Sequence, residues 1–259
     1  MLPALTASVA AAKPDLVVVS GDLTQRARRQ EFKDARQFLD GLPIPQIVVP
    51  GNHDVPLYNV FARALWSLER YKRYIREDLE PYYADGEIAV AGINTARSLT
   101  FKDGRINRDQ ADRSCARLAE SGPGVTRIIV THHPFDVPDI DGGHGILGRA
   151  RMAMAKFADH GVDLILSGHL HISRISESAA RYEVLGHSLL MIQAGTAAST
   201  RRREEVNSYN IIRIERPRVS IECFDWNNDR SAFTIAKIVE FRHSLDGWLQ
   251  INHNEDRIA

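Results

Sequence analysis

Four short aliphatic runs constrain this chain more than any other feature. Leu16-Val17-Val18-Val19, Ile47-Val48-Val49, Ile128-Ile129-Val130 and Leu164-Ile165-Leu166 are continuous β-branched or leucine-rich stretches, with helix-patterned sequence between them. Unbroken apolar runs of this length read as strands buried on both faces, and their alternation with helices marks an α/β domain. The helical segments are 28–39, with Phe32, Ala35, Phe38 and Leu39 at helical spacing, and 58–70, with Phe61, Leu65 and Leu68 on one side. Two more cover 107–120, with Asn107 as N-cap, and 149–160. Residues 88–93 add another strand. Residues 1–12 lack the basic residues that precede a signal peptide's apolar stretch and read as a short amphipathic helix. The last third differs: 188–193, 209–214, 219–224 and 233–241 read as consecutive strands joined by polar turns such as Asn227-Asn228-Asp229. A helix-poor block after an alternating block predicts a second sheet packed on the first. No Pro/Gly/Ser-rich linker separates the two, so one domain over 1–259 is expected.

Charge and composition exclude several classes of function. Lys plus Arg number 33 and Asp plus Glu number 33, so the formal net charge is zero. A balanced chain is poorly suited to neutralising the phosphates of a nucleic-acid polymer or to lying on an anionic membrane. No run of apolar residues reaches the length of a membrane span. Cys115 and Cys223 are the only cysteines, too few for a disulfide framework or a thiolate zinc site, and a reducing cytoplasmic location is expected.

The ends of the aliphatic runs carry the chemistry. The first leads into Gly21-Asp22, the second into Gly51-Asn52-His53-Asp54, the third into His132-His133-Pro134 and the fourth into Gly168-His169-Leu170-His171. Ligands of α/β sheets bind outside the carboxyl ends of the strands, so these residues can converge despite their separation in sequence. The glycines permit the tight backbone paths required. Taken singly, each motif has a structural reading: Asp22 as a helix cap, Gly51–Asp54 as a turn, His132-His133 as a strand end. Together they supply a carboxylate, an amide oxygen and several imidazoles, a set that suits Mn, Fe, Co or Zn rather than Ca or Mg. His169 and His171, spaced i and i+2, share one side if the strand stays extended. His53, followed by Asp54, is a candidate for contacting a phosphoryl oxygen or protonating a departing alkoxide, oriented by the neighbouring carboxylate.

These four motifs, in this order, resemble the successive signatures of the calcineurin-like metallophosphoesterases, and within them the class III cyclic-nucleotide phosphodiesterase-like branch. The resemblance implies an α/β fold, a four-layer α-β-β-α sandwich of two mixed β-sheets flanked by helices. It implies two divalent metal ions, with Asp22 bridging them, Asn52, His132 and His169 completing one site, and His171 serving the other. His53 would engage the scissile phosphate of a small phosphoester such as a cyclic nucleotide, and a metal-bound hydroxide would attack phosphorus in line with the leaving oxygen. The family's first signature, an Asp-x-His closing its first strand, has no counterpart here, since neither Asp nor His occurs before Asp15. The expectation is a chain truncated at its N-terminus relative to the family, with one complete metal site and a second reduced to Asp22 and His171. A non-catalytic or one-metal binding or scaffold protein of the same fold is the alternative.

Other features carry less. Asn94, just past a strand end, is a candidate substrate contact or else a turn cap. The Gly-rich loop 136–145 could shape a pocket, with His144 solvated, and 201–205 reads as a charged turn near an anionic substrate. Trp226 and Trp248 read as packing for the C-terminal sheet. His160, His187, His243 and His253 receive no role, and the oligomeric state is not legible.

Overall fold

The aliphatic runs become strands whose successive side chains serve two different cores. The structure, a computed structural model, describes residues 1–56, 68–97, 103–137, 145–171, 173–178, 182, 188–198, 206–244 and 247–251. β1 (Val17–Val19) pairs in parallel with β2 (Gln46–Val48), and among the described residues β1 has no other strand partner. A six-stranded sheet contains β3 (Tyr82–Ala84), β4 (Ile88–Gly92), β5 (Thr126–Val130), β6 (Leu164–Ser167), β7 (Arg174–Glu177) and β8 (Leu190–Gln193) in the order β3-β4-β5-β6-β8-β7. Its four central strands run parallel, and β3 and β7 are antiparallel edges. The C-terminal block forms an antiparallel meander of β9 (Ser208–Glu215), β10 (Arg218–Asn227), β11 (Ala232–Ser244) and β12 (Gly247–Ile251). Three of the four strands foreseen for a second sheet lie here, whereas the one expected over 188–193 is β8, which pairs in parallel with β6 in the six-stranded sheet.

The alternation explains the unbroken apolar runs within the central strands. Ile129 and Ile165 face a core built with α4 (Arg108–Ala119) and α5 (Ala150–Asp159), including Cys115, Leu118, Met154 and Phe157; the labels α1 (Leu2–Ala11), α2 (Arg29–Asp40) and α3 (Glu69–Tyr74) denote the earlier helices. Their neighbours Ile128, Val130 and Leu164 face the opposite way, meeting Val18, Ile47 and Val49 and, from the meander, Val219, Ile221, Val239, Phe241 and Trp248. A third core joins Val17, Val19 and Val48, on the other face of β1 and β2, to Phe32 and Leu39 of α2 and Tyr71 of α3. Helix, sheet, sheet, helix is the resulting order.

Local signals set the helix ends. Glu31 accepts hydrogen bonds from the Arg26 and Arg28 N–H groups at the start of α2, and the Asn107 N–H donates to Gln110 Oε1 as α4 begins. Two points of this reading need correction, and a third lies mostly outside the described residues. α1 is helical but not amphipathic: small and apolar residues surround it, and only Leu5 is buried. The helix expected over 58–70 lies mostly outside the described residues, and the described helix there is α3, beginning at Glu69. β3, β7 and β12 were not foreseen, because short edge strands such as Arg174–Glu177 are half-exposed and carry no aliphatic run. Among the described residues, no helix is long and apolar enough to cross a membrane.

Candidate metal centre

β1 and β2 end side by side, as do β5 and β6, and the candidate residues follow each end within a few positions. Gly21 turns the chain with φ +94°, and Asp22 itself adopts φ +56°, the left-handed region that L-residues avoid. At Gly51 the need is space, since a Cβ there would lie 2.1 Å from Asp22 Oδ1. Asp22 Oδ1 accepts the His53 backbone N–H at 2.9 Å, tying the first motif to the second.

His132 is 1% exposed. Its Nδ1–H donates to the Ser20 carbonyl at 2.7 Å, which leaves Nε2 with a lone pair. That Nε2 lies 3.0 Å from Asn52 Oδ1, 3.2 Å from His169 Nδ1 and 3.4 Å from Asp22 Oδ1. His169 Nδ1 is in turn 3.0 Å from Asn52 Oδ1. His132 Nε2 thus stands within 3.4 Å of an amide oxygen, a second imidazole nitrogen and a carboxylate oxygen in a largely buried place, an arrangement that a cation among them would favour. Ligands bound at 2.0–2.2 Å to one ion are separated by about 2.8–3.6 Å, depending on coordination geometry. The observed spacings fall within that interval, and two imidazole nitrogens with two oxygens suit a borderline divalent cation. The residues present fit such an ion.

Asp54 has a different task from the one expected. Its carboxylate does not orient the His53 ring; it accepts N–H groups from Gly51 and Thr24 at 2.9 Å each and from Leu23 at 3.3 Å. These bonds buckle the Asn52–Asp54 turn to the loop after β1. Burial, and then the nearby Asp22 charge, push the Asp54 carboxyl up to about 7 although the hydrogen bonds act the other way. His53 is half-buried, and its Nδ1–H donates to the Gln25 carbonyl at 3.0 Å. That bond leaves Nε2 as the ring's remaining proton-carrying position.

The fourth motif departs from its expected shape. β6 stops at Ser167, and His169 and His171 adopt φ +76° and +63°, with a Leu170 N–H to Gly168 carbonyl bond of 3.0 Å between them. The segment is thus a folded loop, and the expected i, i+2 alignment on an extended strand does not occur. His169 joins Asn52 and His132, whereas His171 Nδ1 hydrogen-bonds Thr196 Oγ1. Asn94 takes the turn-capping role: its Oδ1 accepts the Ala96 N–H at 3.0 Å, and its carbonyl accepts from Gln110 Nε2 at 2.9 Å. It lines a separate cavity of about 460 Å³ with Arg97, Gln110 and Arg113. Trp248 packs in the inter-sheet core and Trp226 against Phe233, as expected of packing residues. His144, His187, His253 and the 201–205 segment lie outside the described residues.

One participant went unassigned in the sequence. His133 is buried beside His132 and His169, and these three imidazoles place one nitrogen each within 4.8 Å of one another. Its adjacency to His132 was visible, but its partner Thr95 lies 38 positions away, and no local pattern connects them.

Comparison with known proteins agrees with the geometry. Residues 2–173 match the family model for calcineurin-like phosphoesterases. The chain is 26% identical over 163 residues to a probable cyclic nucleotide phosphodiesterase of Synechococcus, covering 61% of this chain and 58% of that protein. It is 43% identical over 164 residues to a probable glycerophosphodiester phosphodiesterase of Arcobacter nitrofigilis, covering 61% and 57% respectively. The chain thus spans under three fifths of the length of either relative. Among solved structures, a dimetal phosphatase from Danio rerio superposes with a TM-score of 0.63 at 12% identity, over 94% of this chain and 89% of that one, a likeness of fold. With the family model matching well over half its length, the chain belongs to the calcineurin-like phosphoesterase family.

Proposed function

We propose that this protein hydrolyses a phosphodiester bond in a small substrate, of the kind a cyclic nucleotide or a glycerophosphodiester presents, using a divalent cation held by Asp22, Asn52, His132 and His169. The observation that carries this reading is the convergence of Asn52 Oδ1, His169 Nδ1 and Asp22 Oδ1 on His132 Nε2, at 3.0, 3.2 and 3.4 Å. The names of the two curated relatives support a diester rather than a monoester. The cation, when bound, supplies Lewis acidity that stabilises charge on a phosphoryl oxygen and acidifies water.

The chain's own residues do the rest. Ser20, through its carbonyl, holds His132 in the tautomer that presents Nε2. Asp22 contributes the negative charge of the set, and the His53 N–H fixes one of its oxygens. His53 is the acid in its imidazolium form: the Nδ1–H bond to Gln25 anchors the ring, and the second proton, on Nε2, passes to the departing ester oxygen as its bond to phosphorus breaks, leaving the ring neutral. A second reading, a one-metal binding protein without catalysis, is favoured by the position of His171, whose Nδ1 is engaged by Thr196 away from the four-atom cluster.

Purified protein with Mn²⁺, assayed on bis-para-nitrophenyl phosphate, para-nitrophenyl phosphate and cyclic AMP, separates the readings. The expected result is diester hydrolysis that Asp22→Asn abolishes together with Mn²⁺ binding. His53→Asn should keep the metal and lose about 10²–10⁴ in kcat. Stoichiometric Mn²⁺ without hydrolysis of any ester would establish the binding protein instead, and absence of Mn²⁺ binding would refute both readings.

A further inference from the structure

We propose that His133 is a positioning residue for this centre: its ring sets the gap between the His132 and His169 rings, and Gly104 and Thr95 form its seat. The inference rests on the proposed cation site and adds to it a residue outside the four-atom set.

The geometry is that of a wedge. The His133 ring centroid lies 4.8 Å from that of His132, edge-on, and 4.8 Å from that of His169, while the latter two are 5.1 Å apart. His133 Nδ1 is 2.8 Å from Thr95 Oγ1 in a buried contact, and the His133 carbonyl accepts from Thr131 Oγ1 at 2.9 Å. On another side of the ring stands the backbone of Gly104. A Cβ at that position would lie 2.1 Å from His133 Nδ1, 2.4 Å from Cγ and 2.7 Å from Cε1.

That backbone is not free to retreat. The Gly104 carbonyl accepts the Gly148 N–H at 2.9 Å, the Arg105 N–H donates to the Thr95 carbonyl at 3.0 Å, and the Ile106 N–H donates to the Gly148 carbonyl at 3.1 Å. A methyl group added at 104 must therefore displace the imidazole, and the displaced ring meets His132 and His169. Interiors packed at crystal-like density transmit such shifts instead of absorbing them. His132 Nε2 has atoms of Asn52, His169 and Asp22 at 3.0–3.4 Å, whereas the group of three imidazole nitrogens that includes His133 spans up to 4.8 Å, and His133 Nδ1 is engaged by Thr95 Oγ1. His133 thus acts on the ligands and is not one of them.

The test is a double-mutant cycle read by metal binding, not turnover. Mn²⁺ affinity is measured by calorimetry, and the visible absorption of Co²⁺-loaded protein reports the ligand geometry. Gly104→Ala is expected to weaken Mn²⁺ about 10–100-fold, the usual scale for groups that orient ligands, and to shift the Co²⁺ bands. In a His133→Ala background, itself weakened but still binding, the added Gly104→Ala should change nothing further. Unchanged affinity and spectrum in Gly104→Ala overturn the proposal. So does an additive loss in the double variant, or complete loss of binding in His133→Ala, which would make His133 a ligand. Should Gly104→Ala fail to fold in a melt without metal, Thr95→Val carries the test, and an unchanged Co²⁺ spectrum there refutes the seat. Wild-type protein that binds no Mn²⁺ refutes the cation site itself, and this inference with it; normal wild-type binding with insensitive variants refutes only the wedge.

Discussion

Burial and the adjacent Asp22 charge raise the Asp54 carboxyl to about 7, against hydrogen bonds from Gly51, Leu23 and Thr24 that favour its ionised form. In the unfolded chain the same group loses its proton near the ordinary value of 3.8. Between those limits the folded state binds more protons than the unfolded one, so stability falls as pH rises from about 4 to about 7 and is flat beyond. Thermal melts of EDTA-treated protein at several pH values should show this slope, and Asp54→Asn should remove it. A wild-type and variant pair with parallel pH profiles would show that Asp54 does not titrate there. At this scale the sequence was partly legible. Asp22, Asn52, His132 and His169 could be picked out because each follows an aliphatic run, which exposes chemistry at a strand end. The tasks of Asp54 and His133 could not, because they depend on backbone N–H groups and on a threonine brought in from distant segments.

Elements were legible in proportion to their burial. β5 and β6 carry the unbroken runs Ile128-Ile129-Val130 and Leu164-Ile165-Leu166 because each face has its own core, and such strands are easily read. β3, β7 and β12 lie at sheet edges, where a strand needs only one apolar face or none, and they blend into loop sequence. The helices α4 and α5 lean on each other and on the six-stranded sheet through Leu118, Met154 and Phe157. Phe157 is fully buried and meets Phe135 at a tilt, ring centroids 5.9 Å apart; Phe135 follows the His132-His133 motif by two residues. Phe157→Ala is expected to cost about 3–5 kcal/mol in urea unfolding. A loss under 1 kcal/mol would mean the core closes over the gap. Mn²⁺ affinity of the still-folded fraction should change little, because the ligands stand on the other elements' strand ends.

At the scale of the molecule, the centre joins two separate sheets. Asp22 and Asn52 follow strands of the two-stranded sheet, His132 and His169 strands of the six-stranded one, and the inter-sheet core lies between. A cation held by all four is a cross-link across the sandwich, present only in the folded state. Mn²⁺ at one hundred times its dissociation constant should therefore stabilise the fold by about 2.7 kcal/mol. Melting curves with and without EDTA measure this; the increment should vanish in Asp22→Asn, and its persistence there would place the ion elsewhere. The C-terminal strand block could be seen from composition, since helices give way to strands after about residue 187. The pairing of β1 with β2 alone among the described residues could not be read without coordinates.

Asp22, His169 and His171 all hold the left-handed backbone that glycine takes freely, at φ +56°, +76° and +63°. Each such twist stores energy of order 1–3 kcal/mol, and an ion held by the proposed cation site would favour the wound form of Asp22 and His169. With the proposed ion bound, the loop after β6 would be a cocked spring and the ion its catch. When the catch is withdrawn, deuterium uptake at the Leu170 amide should quicken well before the amides of β5 and β6 begin to exchange.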